Sequence, residues 1–154
     1  MIIQIDSREK AKAIKPILAE FDRKGITHPV SKLFVGDYMN YDNPRVIVDR
    51  KQKLTEICSN VCQDHDRFRR ELIRCQENGI QLIILCEHGK GIESLEDVLF
   101  WENPRRKKSP KATSGETLYN ILSTLTRKYG VQFEFCNKEE TGKRIVELLS
   151  NDSR

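Results

Sequence analysis

The chain has 154 residues, of which 27 are Lys or Arg and 23 are Asp or Glu, giving a formal net charge of +4. That length suits one domain spanning 1–154 with a core that needs no disulfide or structural metal to hold it. No stretch approaches the roughly 20 apolar residues of a membrane span, and the start, Met1 to Asp6, lacks the regions of a secretory signal, so a soluble, cytoplasmic protein is expected. The mild positive charge suits a polyanionic partner without requiring one.

Ile2 to Ile5 is a short β-branched run that ends in the polar cluster Asp6-Ser7-Arg8-Glu9, which predicts a buried strand with charged residues at its end. Ile14, Ile17, Leu18 and Phe21 then recur at helical spacing, and Gly25 stops the helix. Leu33-Phe34-Val35 and Val46-Ile47-Val48, separated by a polar segment with Gly36, Asn40, Asn43 and Pro44, read as the two strands of a hairpin. After Lys51 a helical stripe runs through Leu54, Ile57, Val61, Phe68, Leu72 and Cys75 to Gly79, long enough to be kinked or broken. Ile80 to Cys86 is the most continuous apolar run and predicts a central strand covered on both faces, hence helices above and below a sheet. From Asn103 to Gly115 the chain is basic and carries Pro104 and Pro110, a pattern for a loop that can be mobile. Thr113 and Glu116 have capping-box spacing before a helix that ends at Gly130. Val131 to Phe135 alternates as a strand does, and Asn137 with Glu140 repeats the capping pattern before a last helix holding Ile145, Leu148 and Leu149.

The 5 cysteines, Cys58, Cys62, Cys75, Cys86 and Cys136, are odd in number and show no Cys-x-x-Cys pair, so reduced thiols are expected. Cys58, Cys62 and His65 lack a fourth ligand for zinc, and helix packing is the better reading of that cluster.

The chemistry concentrates in the first third of the chain. Side chains alternate along a strand, so Asp49 and Lys51 share one face while Arg50 takes the other. Phosphodiester hydrolysis needs a group that holds a divalent cation and an ammonium that steadies the phosphate or the attacking water. Asp49 and Lys51 can meet those needs, and Asp37 on the facing arm can add the second carboxylate that Mg²⁺ usually wants. An acid-x-Lys tripeptide alone is more often a surface ion pair, and Gly-Asp-Tyr alone more often a turn; the combination is what carries weight.

Ile5-Asp6-Ser7-Arg8-Glu9, Val35-Gly36-Asp37-Tyr38 and Val48-Asp49-Arg50-Lys51, in that order, resemble the signature of the XPF-type nuclease domain. The resemblance implies an α/β, restriction-endonuclease-like core of the PD-(D/E)xK class, with a central mixed sheet flanked by helices on both faces. It implies Mg²⁺- or Mn²⁺-dependent cutting of flaps, forks and branched DNA, with Glu9, Asp37 and Asp49 as metal ligands and Lys51 as the catalytic lysine. Asp6, Arg8 and Arg50 would belong to the same charged site. The family usually has Glu at the position of Asp49, and Thr55 stands where another Asp is common, with Glu56 beside it. The compact chain resembles stand-alone bacterial or prophage versions of the domain, acting in DNA repair or recombination in a bacterial or phage-infected cell, and the resemblance allows a homodimer.

Among residues outside that core, Arg105, Arg106, Lys107, Lys108 and Lys111 are candidates for DNA phosphate contact. Arg67 is a further candidate, although Arg67, Arg69, Arg70 and Arg74 share their helix with Asp64, Asp66 and Glu71 and can pair with them. Tyr38 suits either base stacking or hairpin packing. His28, His65 and His88 receive no catalytic role. Two other functions fit the same residues: a Holliday-junction resolvase or nicking enzyme of the same fold, and a catalytically inactive DNA-binding scaffold subunit. Retention of the carboxylates and Lys51 favours catalysis.

Overall fold

The computed structural model of the chain describes residues 1–150. Its strands are β1 (Ile3–Asp6), β2 (Val30–Ser31), β3 (Tyr38–Asn40), β4 (Asn43–Lys51), β5 (Gln81–Cys86) and β6 (Gln132–Phe135). Its α-helices are α1 (Lys15–Arg23), α2 (Leu54–Cys62), α3 (His65–Glu77), α4 (Gly115–Tyr129) and α5 (Thr141–Ser150). Shorter 3-10 turns lie at Leu95–Phe100, Pro104–Lys107 and Lys138–Glu140.

The strands form a single mixed sheet in the order β2-β1-β3-β4-β5-β6. β1 pairs antiparallel with β3, and β3 antiparallel with β4, whereas β4, β5 and β6 run parallel. Alternation along β4 and β5 divides the core into two layers. Val46, Val48, Ile83 and Leu85 pack on one face with Ile17 and Phe21 of α1 and Ile145 and Leu149 of α5. Ile47, Leu82 and Ile84 pack on the other with Leu54 and Ile57 of α2, Leu72 of α3 and Leu118 and Leu122 of α4. Because both faces are covered, β5 reads as one apolar run, and helices flank the sheet on either side as expected.

Three local expectations change, and the long helix takes the broken form that its length allowed. Leu33-Phe34-Val35 is a bend, not a strand, and the hairpin partner of β4 is Tyr38–Asn40. The reason is local: the Leu33 N–H donates to the Asp6 side chain at 2.9 Å, not to a strand, and Gly36 takes φ +69°, which turns the chain before pairing begins. The predicted long helix breaks between Cys62 and His65. Ser114 caps α4, its hydroxyl accepting the Thr117 N–H at 3.1 Å, in place of Thr113. Asn137 makes no side-chain cap bond and precedes the Lys138–Glu140 turn.

The basic segment also has structure. Asn103 is buried, accepts the Arg105 N–H at 3.1 Å and donates to the Thr113 carbonyl at 2.9 Å, so its side chain ties both ends of the loop. Arg106 closes it further by donating to the Ala112 carbonyl at 2.7 Å. No helix among the described residues is long and apolar enough to cross a membrane.

Candidate active site

The hairpin and the end of β1 bring the acids together. Asp37 lies just before β3, where its N–H donates to the Val48 carbonyl at 2.9 Å and its carbonyl accepts the Asp6 N–H at 2.8 Å. These bonds press residue 36 against β4: a Cβ on Gly36 would lie 2.5 Å from Ile47 Cγ2 and 3.2 Å from the Val48 carbonyl oxygen. Glycine is required there both for its positive φ and for the space. Asp37 Oδ2 accepts the Arg50 N–H at 2.8 Å, so the carboxyl is aimed along β4, where it interacts with the Asp49 carboxyl. Lys51, two residues farther along β4, brings Nζ to 3.6 Å from Asp49 Oδ2.

Burial and the neighbouring Asp49 push the Asp37 carboxyl up to about 9. Two acids this close oppose each other's ionisation, and the cost falls on Asp37, which favours its protonated form at neutral pH. Burial alone would lower the Lys51 ammonium, but Asp49, Glu56, Asp37 and Glu71 together raise it, so it stays charged. Burial also raises Glu71 of α3, with Asp49 adding to the effect.

Behind the pair, Arg50 occupies the opposite face of β4 in a closed ionic network. Its Nε donates to Glu9 Oε2 at 2.8 Å and its Nη1 to Glu87 Oε1 at 2.6 Å. The Tyr38 hydroxyl also donates to Glu9 Oε2, at 2.7 Å, and the Thr141 hydroxyl to Glu87 Oε2, at 2.5 Å. Burying a guanidinium is tolerable because two carboxylates and their own donors surround it. Tyr38 is fully buried and packs edge-on against Phe21 with centroids 6.1 Å apart, so hairpin packing is its role and base stacking is not. Asp6 is likewise buried, accepting from the Arg8 N–H, Nε and Nη2 and from the Leu33 N–H. Although burial acts against it, bonds from Arg8 and Leu33 hold this carboxyl below its usual range. Asp6 therefore fixes the turn and leaves the exposed Arg8 at the rim of the site.

Asp49 and Lys51 open into a cavity of about 160 Å³ whose other walls are Asn60 of α2, Asp64, and Arg67, Phe68 and Glu71 of α3. Asn60 Oδ1 is buried without a hydrogen-bond partner among the described residues. Arg67 thus shares the cavity with the hairpin residues. Arg106 and Lys107 instead line a separate cavity of about 460 Å³ beside Trp101 and Gly115, and Arg105, Lys108 and Lys111 are exposed. The neutral His88, lowered first by burial, accepts the Leu54 N–H at 3.2 Å and caps α2 from across the fold.

Sequence reasoning missed Glu87, Glu71 and Asn60. Glu87 had a readable signal, since it directly follows the most apolar strand, and strand ends of a parallel sheet gather functional groups. Glu71 stands one helical turn after Arg67, but only the packing of α3 against β5 reveals that it lines one cavity with Lys51. Nothing in the sequence marks Asn60.

Asp37 and Asp49 fit a divalent cation, being hard oxygen donors held together so closely that each opposes the other's ionisation. Glu9 has both oxygens engaged by Arg50 and Tyr38. Among the described residues no three His, Cys, Asp or Glu side chains converge as a complete protein ligand set.

A mixed sheet covered by helices on both faces, with an acid pair and a lysine on its central hairpin, defines the α/β, restriction-endonuclease-like class. The chain belongs to the ERCC4 domain family, whose model matches residues 5–148, in accord with the XPF-type motifs. It is similar in fold to XPF from Aeropyrum pernix, with a TM-score of 0.68 and 21% identity over 100% of this chain and 66% of that one. It is also similar to XPF from Aeropyrum pernix in complex with DNA, with a TM-score of 0.63 and 20% identity over 97% of this chain and 63% of that one. The chain thus spans just under two-thirds of the length of these relatives. No curated protein matches it in sequence.

Proposed function

We propose that this chain is a metal-dependent endodeoxyribonuclease that hydrolyses phosphodiester bonds at branched, flap or forked DNA of the kind formed in repair and recombination. The observation that carries this reading is the pairing of half-buried Asp37 with buried Asp49, which lines a cavity together with the charged Lys51. Family membership and the DNA complex of the Aeropyrum relative support it.

Asp37 and Asp49 would hold Mg²⁺ or Mn²⁺, which when bound supplies Lewis acidity toward a phosphoryl oxygen and a more acidic water. Glu9, kept beside the pair by Arg50 and Tyr38, adds negative potential at Asp37. Lys51, kept protonated by its acid neighbours, steadies charge that builds on the phosphate. Arg8 at the rim and Arg67 in the cavity wall hold adjoining backbone phosphates. Arg50 and Asp6 position these groups from behind.

The test is purified protein with Mg²⁺ or Mn²⁺ against labelled duplex, single-strand, flap, fork and four-way junction DNAs. Cleavage is expected at branched members, lost in Asp37→Asn and Asp49→Asn without loss of fold. Lys51→Ala should lose turnover but keep cation binding by calorimetry, because the amine acts on the phosphate and not on the ion. Absence of cleavage throughout the panel would overturn the reading in favour of a DNA-binding scaffold.

A further inference from the structure

We infer that Phe34 and Arg74 form a stacking platform for an unpaired nucleobase beside the cleaved bond, giving the site its selectivity for DNA with single-stranded character. The inference rests on the nuclease reading above and names the part of the substrate that this face recognises.

The bend that replaces the expected strand turns its residues apart. Leu33 and Val35 are buried at 5% and 2% exposure, whereas Phe34 between them is 55% exposed. A phenyl ring left in water costs hydrophobic free energy that inward packing would have recovered. The group that covers it is charged: the Arg74 guanidinium carbon lies 4.7 Å from the ring centroid. That guanidinium shields part of the ring and leaves more than half of the residue open.

The location gives the pair its meaning. Phe34 is three residues before Asp37 on the same bend, whose backbone is fixed at Leu33 by Asp6 and at Asp37 by Val48. Arg74 is one turn of α3 beyond Glu71, which lines the cavity with Asp49, Lys51 and Arg67. The platform therefore bridges the loop that supplies one acid and the helix that walls the cavity. An exposed ring braced by a guanidinium accepts the π-face of any base, so recognition is indifferent to sequence. Bases inside a duplex are already stacked, and only an unpaired one can use the surface. Lys51, Arg67 and Arg8 hold phosphates nearby, which sets the base and its backbone on one short path.

The experiment uses the full chain and forked DNA carrying 2-aminopurine at successive positions of the single-stranded arm near the junction. Binding is followed by anisotropy and base stacking by 2-aminopurine fluorescence, in parallel with cleavage in Mn²⁺. The wild-type protein should quench one position. Phe34→Ala should abolish that quench and weaken fork binding about tenfold, with duplex binding unchanged. Arg74→Gln should reduce both effects in the same direction. Phe34→Trp should keep quench and affinity, which a purely structural role of the ring would not require. An unchanged quench in Phe34→Ala, or equal loss on fork and duplex, would overturn the platform. If the wild-type protein quenches but cuts nothing, the nuclease reading fails while the platform stands.

Discussion

Asp37 carries a carboxyl that burial and Asp49 push up to about 9, against an ordinary value of 3.8. A raised acid binds its proton more tightly in the folded chain than in the unfolded one. It therefore contributes stability that is complete below about 3.8 and is lost as pH rises toward about 9. The metal-free protein should accordingly be less stable at pH 8 than near neutrality, and Asp37→Asn, which removes the repulsion, should melt a few degrees higher than wild type at pH 8. The difference should shrink as the pH is lowered. Thermal melts of both proteins in chelator across that range check this, and coincident curves at every pH would mean that the acids do not repel. The same substitution that stabilises the fold should end cleavage, as expected where a site keeps a strained arrangement for its chemistry.

At the scale of elements, the bend from Leu33 to Asp37 does most to build the site. Gly36→Ala meets both an unfavourable positive φ of +69° and a Cβ 2.5 Å from Ile47 Cγ2, so a loss of about 2–4 kcal/mol is expected. Because the bend also aims Asp37, residual folded protein should bind Mn²⁺ more weakly. Chemical denaturation and calorimetry measure the two effects, and a variant with wild-type stability and affinity would show that the bend can relax. This bend also marks where sequence reading stops. That Asp37, Asp49 and Lys51 would come together was legible because Gly-Asp-Tyr and Asp-Arg-Lys retain ordered motifs, and β5 was legible because Leu82 to Cys86 is apolar without interruption. Leu33-Phe34-Val35 has strand composition, but a side-chain bond from Asp6, 27 residues away, captures the Leu33 N–H. Long-range bonds of this kind leave no local pattern. The same holds for His88 capping α2 and for Glu87 joining Arg50, whose partners are set by sheet pairing.

Across the whole molecule the excess positive charge is small, +4, and its placement matters more than its size. Arg105, Arg106, Lys107 and Lys108 gather on one internally bonded segment, and Arg106 and Lys107 line a cavity of about 460 Å³ apart from the one that Asp49 and Lys51 line. Neutralising those four residues should weaken binding to all DNA sequences alike and flatten the salt dependence by about one unit of log slope for each phosphate that the segment no longer neutralises. Turnover at saturating DNA should change little, because the segment holds backbone away from the cut bond. Superimposable salt slopes for wild type and variant would make the segment a solvated connection only.

The central claim, that Asp37 and Asp49 form a cation site, is tested most directly by calorimetric titration of Mn²⁺ into the DNA-free protein at neutral pH, in two buffers of different ionisation enthalpy. A cation must displace the proton that the raised Asp37 carboxyl holds, so binding should release about one proton, visible as a buffer-dependent heat. Asp37→Asn should lose that heat together with most of the affinity. Binding with no proton release, or binding that Asp37→Asn leaves intact, would contradict the account.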